Sequence, residues 1–481
     1  MAESVVRSQD QVSKSNTMRL LAHQHAGVEW LLARERSTEY PGGFLCDEMG
    51  LGKTVQLIAT MLQNPLRRTL VIVPKSIVTQ WKSELEKFSP GLSVHLFDGA
   101  KRQVNRDAQV TIAPYSVLPQ RKGSPDCPLL SLYWDRIILD EGHEIRNAKS
   151  KTHVTCRTLR GGVRWIVTGT PIFNSIKDFA ALSEFLGMPK NHVQCFSDEI
   201  RAKYILRRTK ADCKRFSLPP CEIDTIELDM NQKESEMYFQ VYTRSQATVA
   251  NIFASGAENH NQMELIECLL RVRQVMAWPQ LYTDGIARKE GADPEAWTHG
   301  STKMDYLIDS IKSHPTEKSL VFAQFVGEMD EIHVRVRAAG FRVYRIDGSV
   351  PTEQRASRIE RFKKTDKSAV FLIQIKAGGV GLNLYEATRV YITTPAWNPA
   401  TELQAIARAH RNGQTQRVVV KKLIYKGTET LPSIEQSILD LQGHKSAVCA
   451  EVLQDDRLRA QLPTSAKNGV TVRAVRKIFA V

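Results

Sequence analysis

Twice along the chain, short runs of β-branched and aromatic residues alternate with stretches of amphipathic helical period. No other feature restricts the fold as much. In the first half the runs are Leu70–Val73, Val110–Ala113, Arg136–Leu139 and Trp165–Val167, each ending in Pro, Asp or Thr-Gly, with helical patterns such as Val55–Leu62 and Val78–Phe88 between them. In the second half they are Leu320–Gln324, Val343–Ile346, Val370–Ile373, Val390–Thr393 and Val418–Ile424. Strands that alternate with helices build a parallel sheet covered on both faces. The expectation is an α/β chain with two parallel-sheet lobes.

The segments between and around them divide the rest. Residues 1–16 are polar and aperiodic and read as a flexible tail, so the first lobe occupies 17–214. After the Pro219-Pro220 break and one strand-like run, residues 215–300 read as a mostly helical insert and linker. Its helical pattern runs from Gln232 to Met276 and a loop follows at Asp284–Gly300. The second lobe spans 301–450, and 451–481 form a basic tail with Lys467, Arg473, Arg476 and Lys477 and no acidic residue beyond Gln461.

Composition excludes some classes. No apolar run approaches the ~18–20 residues of a membrane span. The N-terminal stretch lacks the apolar core of a secretory leader, which predicts an intracellular protein. The eight cysteines are scattered with no C-x-x-C pair, against a zinc ribbon, a RING or a disulfide framework. The 66 Lys+Arg against 52 Asp+Glu give +14, which permits a polyanionic partner without requiring one.

The segment Gly43-Phe-Leu-Cys-Asp-Glu-Met-Gly-Leu-Gly-Lys-Thr54 precedes an amphipathic helix. Gly50 and Gly52 permit close approach of backbone to phosphate at the positive end of that helix. Lys53 suits the β/γ-phosphates and the Thr54 hydroxyl suits magnesium. The strict G-x-x-x-x-G-K-[ST] pattern fails, because Asp47 stands at the first glycine, and a plain turn opening a helix is the alternative. Further on, Tyr133-Trp-Asp-Arg-Ile-Ile-Leu-Asp140 is an apolar strand ending in the adjacent carboxylates Asp140 and Glu141. At the C-terminal edge of a parallel sheet, Asp140 is placed to hold magnesium and Glu141 to polarise an attacking water. Alone, that pair reads equally as an acidic turn capping a helix.

With both motifs in one lobe, the chain resembles the Swi/Snf-type ATPases of helicase superfamily two, from about Leu20 to Leu441. The matching elements include Leu20–Trp30, Asp47–Thr54, Val71–Ser76 leading to Trp81, Asp140–His143, Thr168-Gly-Thr-Pro171 and Tyr204–Lys210. The second lobe adds Val321–Phe325, Ile346–Ser349, Lys376–Leu384 and Gln404–Gln414. The resemblance implies two tandem RecA-like lobes and a DNA-stimulated ATPase using ATP and Mg2+. Gln24 would contact adenine, and Asp47, Gly50, Gly52, Lys53 and Thr54 would line the nucleotide. Thr54 and Asp140 would hold the metal, and Lys53 and Glu141 would serve hydrolysis with Arg408 and Arg411 as arginine fingers. Gln404, Arg408 and Arg411 fall at i, i+4 and i+7, on one face of a helix. His143, Thr168, Thr170 and Gln404 would couple hydrolysis to lobe movement.

Lys75, Ser76, Gln324, Lys376 and Trp397 lie in segments that face nucleic acid in that family, while Trp81 reads as core. The closing His410-Arg-Asn-Gly-Gln414 differs from the His-Arg-x-Gly-Arg pattern of DEAD-box RNA helicases. It implies a monomeric motor tracking double-stranded DNA without separating it, displacing or remodelling bound proteins such as nucleosomes or a polymerase complex. The location would be the nucleus in a eukaryote, or otherwise cytoplasm or a viral replication site. A strand-separating repair helicase and an inactive DNA-binding scaffold are the alternatives. Three positions depart from the family pattern: Gly142, with little effect expected, Phe173 and Gln374. The basic tail is a candidate extra DNA contact.

Overall fold

The computed structural model describes residues 18–99, 102–119, 127–169, 176–189, 202–213, 218–258, 260–365, 368–377 and 382–453, with 475, 476, 478, 479 and 481 at the C-terminus. Phe173, Lys467, Arg473 and Lys477, among the sequence-stretch assignments above, lie outside them, as does Thr170.

Seven strands form the first sheet: β1 (Gly42–Leu45), β2 (Thr69–Val73), β3 (Val94–Leu96), β4 (Val110–Pro114), β5 (Tyr133–Asp140), β6 (Arg160–Val167) and β7 (Ile205–Leu206). Their order is β3-β4-β2-β5-β6-β1-β7, and the pairs are parallel. Helices α1 (Ala22–Glu35), α2 (Lys53–Gln63), α3 (Val78–Phe88), α4 (Lys151–Thr158) and α5 (Ile176–Phe185) supply the cover. Side chains alternate across a strand, and β2 shows the consequence. Val71 and Val73 enter a core with Leu57, Ile58, Trp81 and Leu85 of α2 and α3, whereas Leu70 and Ile72 enter another with Phe179 and Phe185 of α5.

Between the lobes come β8 (Cys221–Leu228), α6 (Gln232–Ala254), α7 (Gln262–Ala277) and α8 (Gln280–Glu290). The second lobe holds α9 (Thr302–Lys312), β9 (Ser319–Ala323), α10 (Val326–Ala338), β10 (Arg342–Ile346), α11 (Thr352–Lys364), β11 (Ala369–Gln374), β12 (Arg389–Ile392), α12 (Pro399–Ile406), β13 (Val418–Tyr425) and α13 (Ile434–Leu453). Its parallel sheet has the order β10-β11-β9-β12-β13-β8.

Two expectations change here. The strand-like run after Pro219-Pro220 is β8, which pairs along its whole length with β13, so the second sheet draws its edge strand from the stretch read as insert. The loop expected from Asp284 begins inside α8, which ends where Gly291 takes φ 69°. Gly285 and the polar character of α8 concealed that helix.

A buried ion pair of the second lobe also bonds the helices before it. Lys303 Nζ on α9 donates to Glu435 Oε1 and Oε2 on α13 at 2.7 and 2.9 Å, and to the Met276 carbonyl on α7 at 3.1 Å. At the C-terminus, Val475, Ile478 and Phe479 are buried against Tyr238, Tyr242 and Val249 of α6. Among the described residues no helix is long and apolar enough to cross a membrane, and six cysteines are free thiols.

Candidate active site between the lobes

Parallel register assembles the site. Leu45 and Asp140 both pair with Val167, so β1, β6 and β5 end side by side, with β6 in the middle. The residues that follow, the phosphate loop, Thr168 and Glu141, therefore leave the sheet at one edge.

Within the loop Gly50 and Gly52 have φ 93° and 78°. A Cβ on Gly52 would stand 2.4 Å from Gln24 Nε2 and displace the end of that side chain, while the positive φ itself favours glycine. Gln24 itself is buried against this backbone. Its Nε2 donates to the Leu51 carbonyl at 3.3 Å and its Oε1 accepts the Leu21 N–H at 3.0 Å. Lys53 opens α2 and donates from Nζ to the Asp47 carbonyl at 2.8 Å, with Thr54 half-buried beside it.

The Asp47 side chain has a different place from the one its motif position implies. It is fully buried; Arg208 Nε donates to its Oδ1 at 3.0 Å and Gln56 Nε2 to its Oδ2 at 3.1 Å. A carboxylate so saturated anchors the loop from behind rather than facing a nucleotide. Arg207 Nη1 adds a bond to the Cys46 carbonyl at 2.8 Å. Gln56, Arg207 and Arg208 thus hold the loop. The two arginines lay in a quoted motif without a role, and a buried Gln on the apolar face of α2 was the available signal.

The acid pair is differentiated by its surroundings. Asp140 Oδ2 accepts the Trp81 indole N–H at 2.7 Å, and Oδ1 accepts the Glu141 N–H at 2.9 Å. Burial and the adjacent Glu141 charge push the Asp140 pKa up to about 6, against the opposing pull of Trp81 and Lys53. Glu141 takes φ 49°. Burial alone would raise its pKa, but the His143 hydrogen bond and charge, with Lys53 and Arg408, bring it below the ordinary carboxylate value. His143 Nδ1 lies 3.3 Å from Glu141 Oε2 and 3.3 Å from Thr168 Oγ1, so one imidazole touches the ends of β5 and β6. Trp81, read as core, is both core and carboxylate partner. A buried indole N–H needs an acceptor, and that requirement was the overlooked signal.

The second lobe presents its arginines differently from the expected helical face. α12 stops at Ile406, and tighter turns follow, with Arg408 N–H bonded to Ala405 O and Ala409 N–H to Ile406 O, each at 3.1 Å. Arg408 and Arg411 stand on these turns; Gln404 remains half-buried on the helix. Burial lowers the Arg408 pKa to about 10, Arg411 repels it and Glu141 attracts it, which puts Arg408 within electrostatic reach of the first lobe. Its Nε is buried without a hydrogen-bond partner among the described residues. Arg411 Nη1 donates to the Leu382 carbonyl at 3.2 Å, and Glu84 of α3 is its stabilising charge.

The expected DNA-facing residues are dispersed over strand ends. Lys75 is exposed, 3.4 Å from Asp98, with Ser76 half-buried next to it after β2. Gln324 follows β9, and its N–H bonds Glu328 Oε2 at 3.1 Å. Lys376 is exposed after β11, where Gln374 Oε1 accepts the Gly348 N–H at 3.2 Å. Trp397 lies apart from these, half-buried against the α6–α7 core with the Arg273 guanidinium 5.0 Å from its ring centre.

The donor chemistry fits magnesium in kind: the Thr54 hydroxyl and the Asp140 carboxylate are hard oxygen ligands, and each Asp140 oxygen, holding one N–H bond, retains a lone pair. The Arg408 Nε without a partner fits an anionic ligand between the lobes.

Residues 23–281 match the SNF2-related domain and 302–413 the helicase conserved C-terminal domain. A probable global transactivator of Orgyia pseudotsugata multicapsid polyhedrosis virus is 29% identical over 429 residues, 84% of this chain and 86% of that protein. The ISWI chromatin-remodeling complex ATPase ISW1 of Saccharomyces cerevisiae is 28% identical over 91% of this chain, which spans only 41% of its length. The solved SWI2/SNF2 ATPase core of Sulfolobus solfataricus in complex with dsDNA is 25% identical, covering 96% of this chain and 97% of its own, with a TM-score of 0.39. The chain belongs to the SNF2-related family of helicase-like ATPases.

Proposed function

We propose that the chain hydrolyses ATP at the junction of its lobes, is stimulated by DNA, and couples each cycle to a step along double-stranded DNA that leaves the strands paired. The observation that carries this reading is the electrostatic reach of Arg408, from the second lobe, to Glu141 in the first, with the Arg408 Nε buried and without a hydrogen-bond partner among the described residues.

Phosphoryl transfer to water depends on positioning and charge compensation more than on covalent help. Lys53 neutralises the β/γ-phosphates, Gly50 and Gly52 let the loop wrap them, and Gln24 borders the base. Glu141, ionised at neutral pH, orients the attacking water, while Arg408 and Arg411 meet the charge that develops on the γ-phosphate. When bound through Thr54 and Asp140, magnesium screens the phosphate oxygens. Closure by the arginines is favoured only while the γ-phosphate is present, so hydrolysis biases the lobes toward opening. His143 reports the state of Glu141 to Thr168; Thr170 and Gln404 extend that coupling.

Lys75, Ser76, Gln324 and Lys376 grip the duplex backbone without reading sequence. Trp397 supports its segment in the same role. The target is a DNA-bound protein complex, a nucleosome or a polymerase, in a nucleus; the yeast relative, named as a chromatin-remodeling complex ATPase, supports the chromatin setting. In a virus, the source of one relative, the location is instead a viral replication site.

The test is ATPase activity on duplex DNA, single-stranded DNA and RNA, paired with triplex displacement and strand-separation assays. Duplex stimulation with triplex displacement is the expected result. Efficient unwinding, or stimulation by RNA alone, would overturn the proposal.

A further inference from the structure

His410 stands between the two arginines of the second lobe and is held from two directions. Its Nε2 lies 2.9 Å from the Pro219 carbonyl. A carbonyl only accepts, so Nε2 carries the proton and donates. The His410 carbonyl in turn accepts from Lys210 Nζ of the first lobe at 3.2 Å.

Lys210 is itself fastened to the phosphate loop. Its N–H donates to Glu48 Oε2 at 2.7 Å, and its ammonium is 3.6 Å from Glu48 Oε1. The stem runs beside Gly50, where an added Cβ would meet Lys210 Cε at 3.5 Å. Glu48 lies between Asp47, which anchors the loop, and the glycines that form it. Lys210 and Pro219 flank the connector between the lobes: Lys210 follows β7, and Pro219 precedes β8.

We infer that Lys210 and His410 are positioning residues that hold the arginine turn from two sides, Lys210 from the phosphate loop through Glu48 and the His410 imidazole from the start of β8 through Pro219. The inference rests on the ATPase reading above and adds what sets the arginines in register. The Pro219 bond fixes the turn to the edge of its own sheet and the Lys210 bond meets it from the first lobe, so Arg408 and Arg411 are held in register with the phosphate loop when the lobes are together. Fixing them in advance lowers the ordering cost of reaching the γ-phosphate, and misplacement by about 1 Å can cost roughly 100-fold in rate.

The test uses the full chain with four variants: Lys210→Met and Lys210→Arg, His410→Phe and His410→Gln. Lys210→Met and His410→Phe remove the donors while keeping much of the shape; Lys210→Arg and His410→Gln keep a donor at similar reach. With saturating duplex DNA, the donor-deleting variants are expected to lose roughly 10- to 100-fold in kcat. KM for ATP and equilibrium ATP affinity should stay within about twofold, because neither residue holds the ground-state nucleotide. The conservative variants should recover most of the turnover. Unchanged kcat in Lys210→Met and His410→Phe would overturn the inference. So would equal loss in all four variants, or a loss that appears in ATP affinity instead. Arg408→Ala, run alongside, separates the two readings: wild-type turnover in that variant would overturn the arginine assignment beneath the tether.

Discussion

Trp81 donates its indole N–H to Asp140 Oδ2 at 2.7 Å, so a ring that fills the core under α3 also sets the charge of the carboxylate assigned to the metal. The bond favours the ionised form, against the burial and the Glu141 charge that raise Asp140 to about 6. In Trp81→Phe that opposition is gone and the Asp140 pKa rises further. The acid limb of the kcat/KM profile for ATP should move to higher pH, and more magnesium should be needed for half-maximal activity at pH 6.5. An unmoved acid limb would show that Asp140 does not govern it.

The same shift makes a stability prediction. Asp140 binds its proton more tightly folded than unfolded, since about 6 lies above the ordinary aspartate value of 3.8. The contribution of that proton is complete below the unfolded pKa and is lost as pH rises through about 6. Asp140→Asn should therefore raise Tm at pH 7.5, in the absence of nucleotide and metal, and raise it less at pH 5. Hydrolysis should be lost at both.

Lys53→Ala and Glu141→Gln should both abolish turnover by different routes. Lys53 compensates phosphate charge in the ground state, so its loss should appear in ATP affinity as well as in kcat. Glu141 acts on the water, so Glu141→Gln should still bind ATP while kcat falls by about 10²–10⁴-fold. Nucleotide binding together with single-turnover hydrolysis distinguishes them. Retained turnover in either variant would remove it from the site.

Gly142 fits a space that Ile166 fills from the neighbouring strand. A Cβ at 142 would stand 2.7 Å from Ile166 Cγ2, a branch methyl close to its own backbone, so alanine at this position requires the neighbouring strand to shift. Overpacking of this kind costs about 1–3 kcal/mol. It falls next to Glu141, so Gly142→Ala should lower both Tm and kcat. Adding Ile166→Leu, which removes the branch methyl, should return part of each. Thermal unfolding and steady-state ATPase of the single and double variants check it.

What the sequence made legible follows from how each signal arises. β2, β4, β9 and β11 are continuous apolar runs, as strands buried on both faces must be, and β1 was hidden because two of its four residues are glycine. The membership of β8 in the second sheet depends on pairing with β13, almost 200 residues away, and local pattern carries no such information. Residue type located Lys53, Asp140 and Arg408, but not which way Asp47 turns: a carboxylate at a glycine position reads as a ligand until Arg208 and Gln56 are seen to occupy it. The i, i+4, i+7 spacing of Gln404, Arg408 and Arg411 assumed one continuous helix, whereas α12 ends at Ile406 and the arginines stand on the turns beyond it.

The C-terminal segment yields the last prediction, because its end is apolar in role despite its basic composition. Phe479 is fully buried, 5.5 Å from the Tyr242 ring, and the chain around it is bonded to α6: Tyr242 Oη donates to the Ile478 carbonyl at 3.2 Å and Gln246 Nε2 to the Phe479 carbonyl at 2.7 Å. Arg476 lies over the Phe253 ring at 5.5 Å. Removing a buried phenylalanine costs about 3–5 kcal/mol, whereas a half-exposed cation–π contact contributes about 0.5–1 kcal/mol. Phe479→Ala should therefore lower Tm and speed amide exchange along α6, and Arg476→Ala should change either much less. Truncation after Gln461 should act like Phe479→Ala on stability. A purely electrostatic tail would give the opposite pattern: unchanged Tm on truncation and a shallower dependence of DNA affinity on salt.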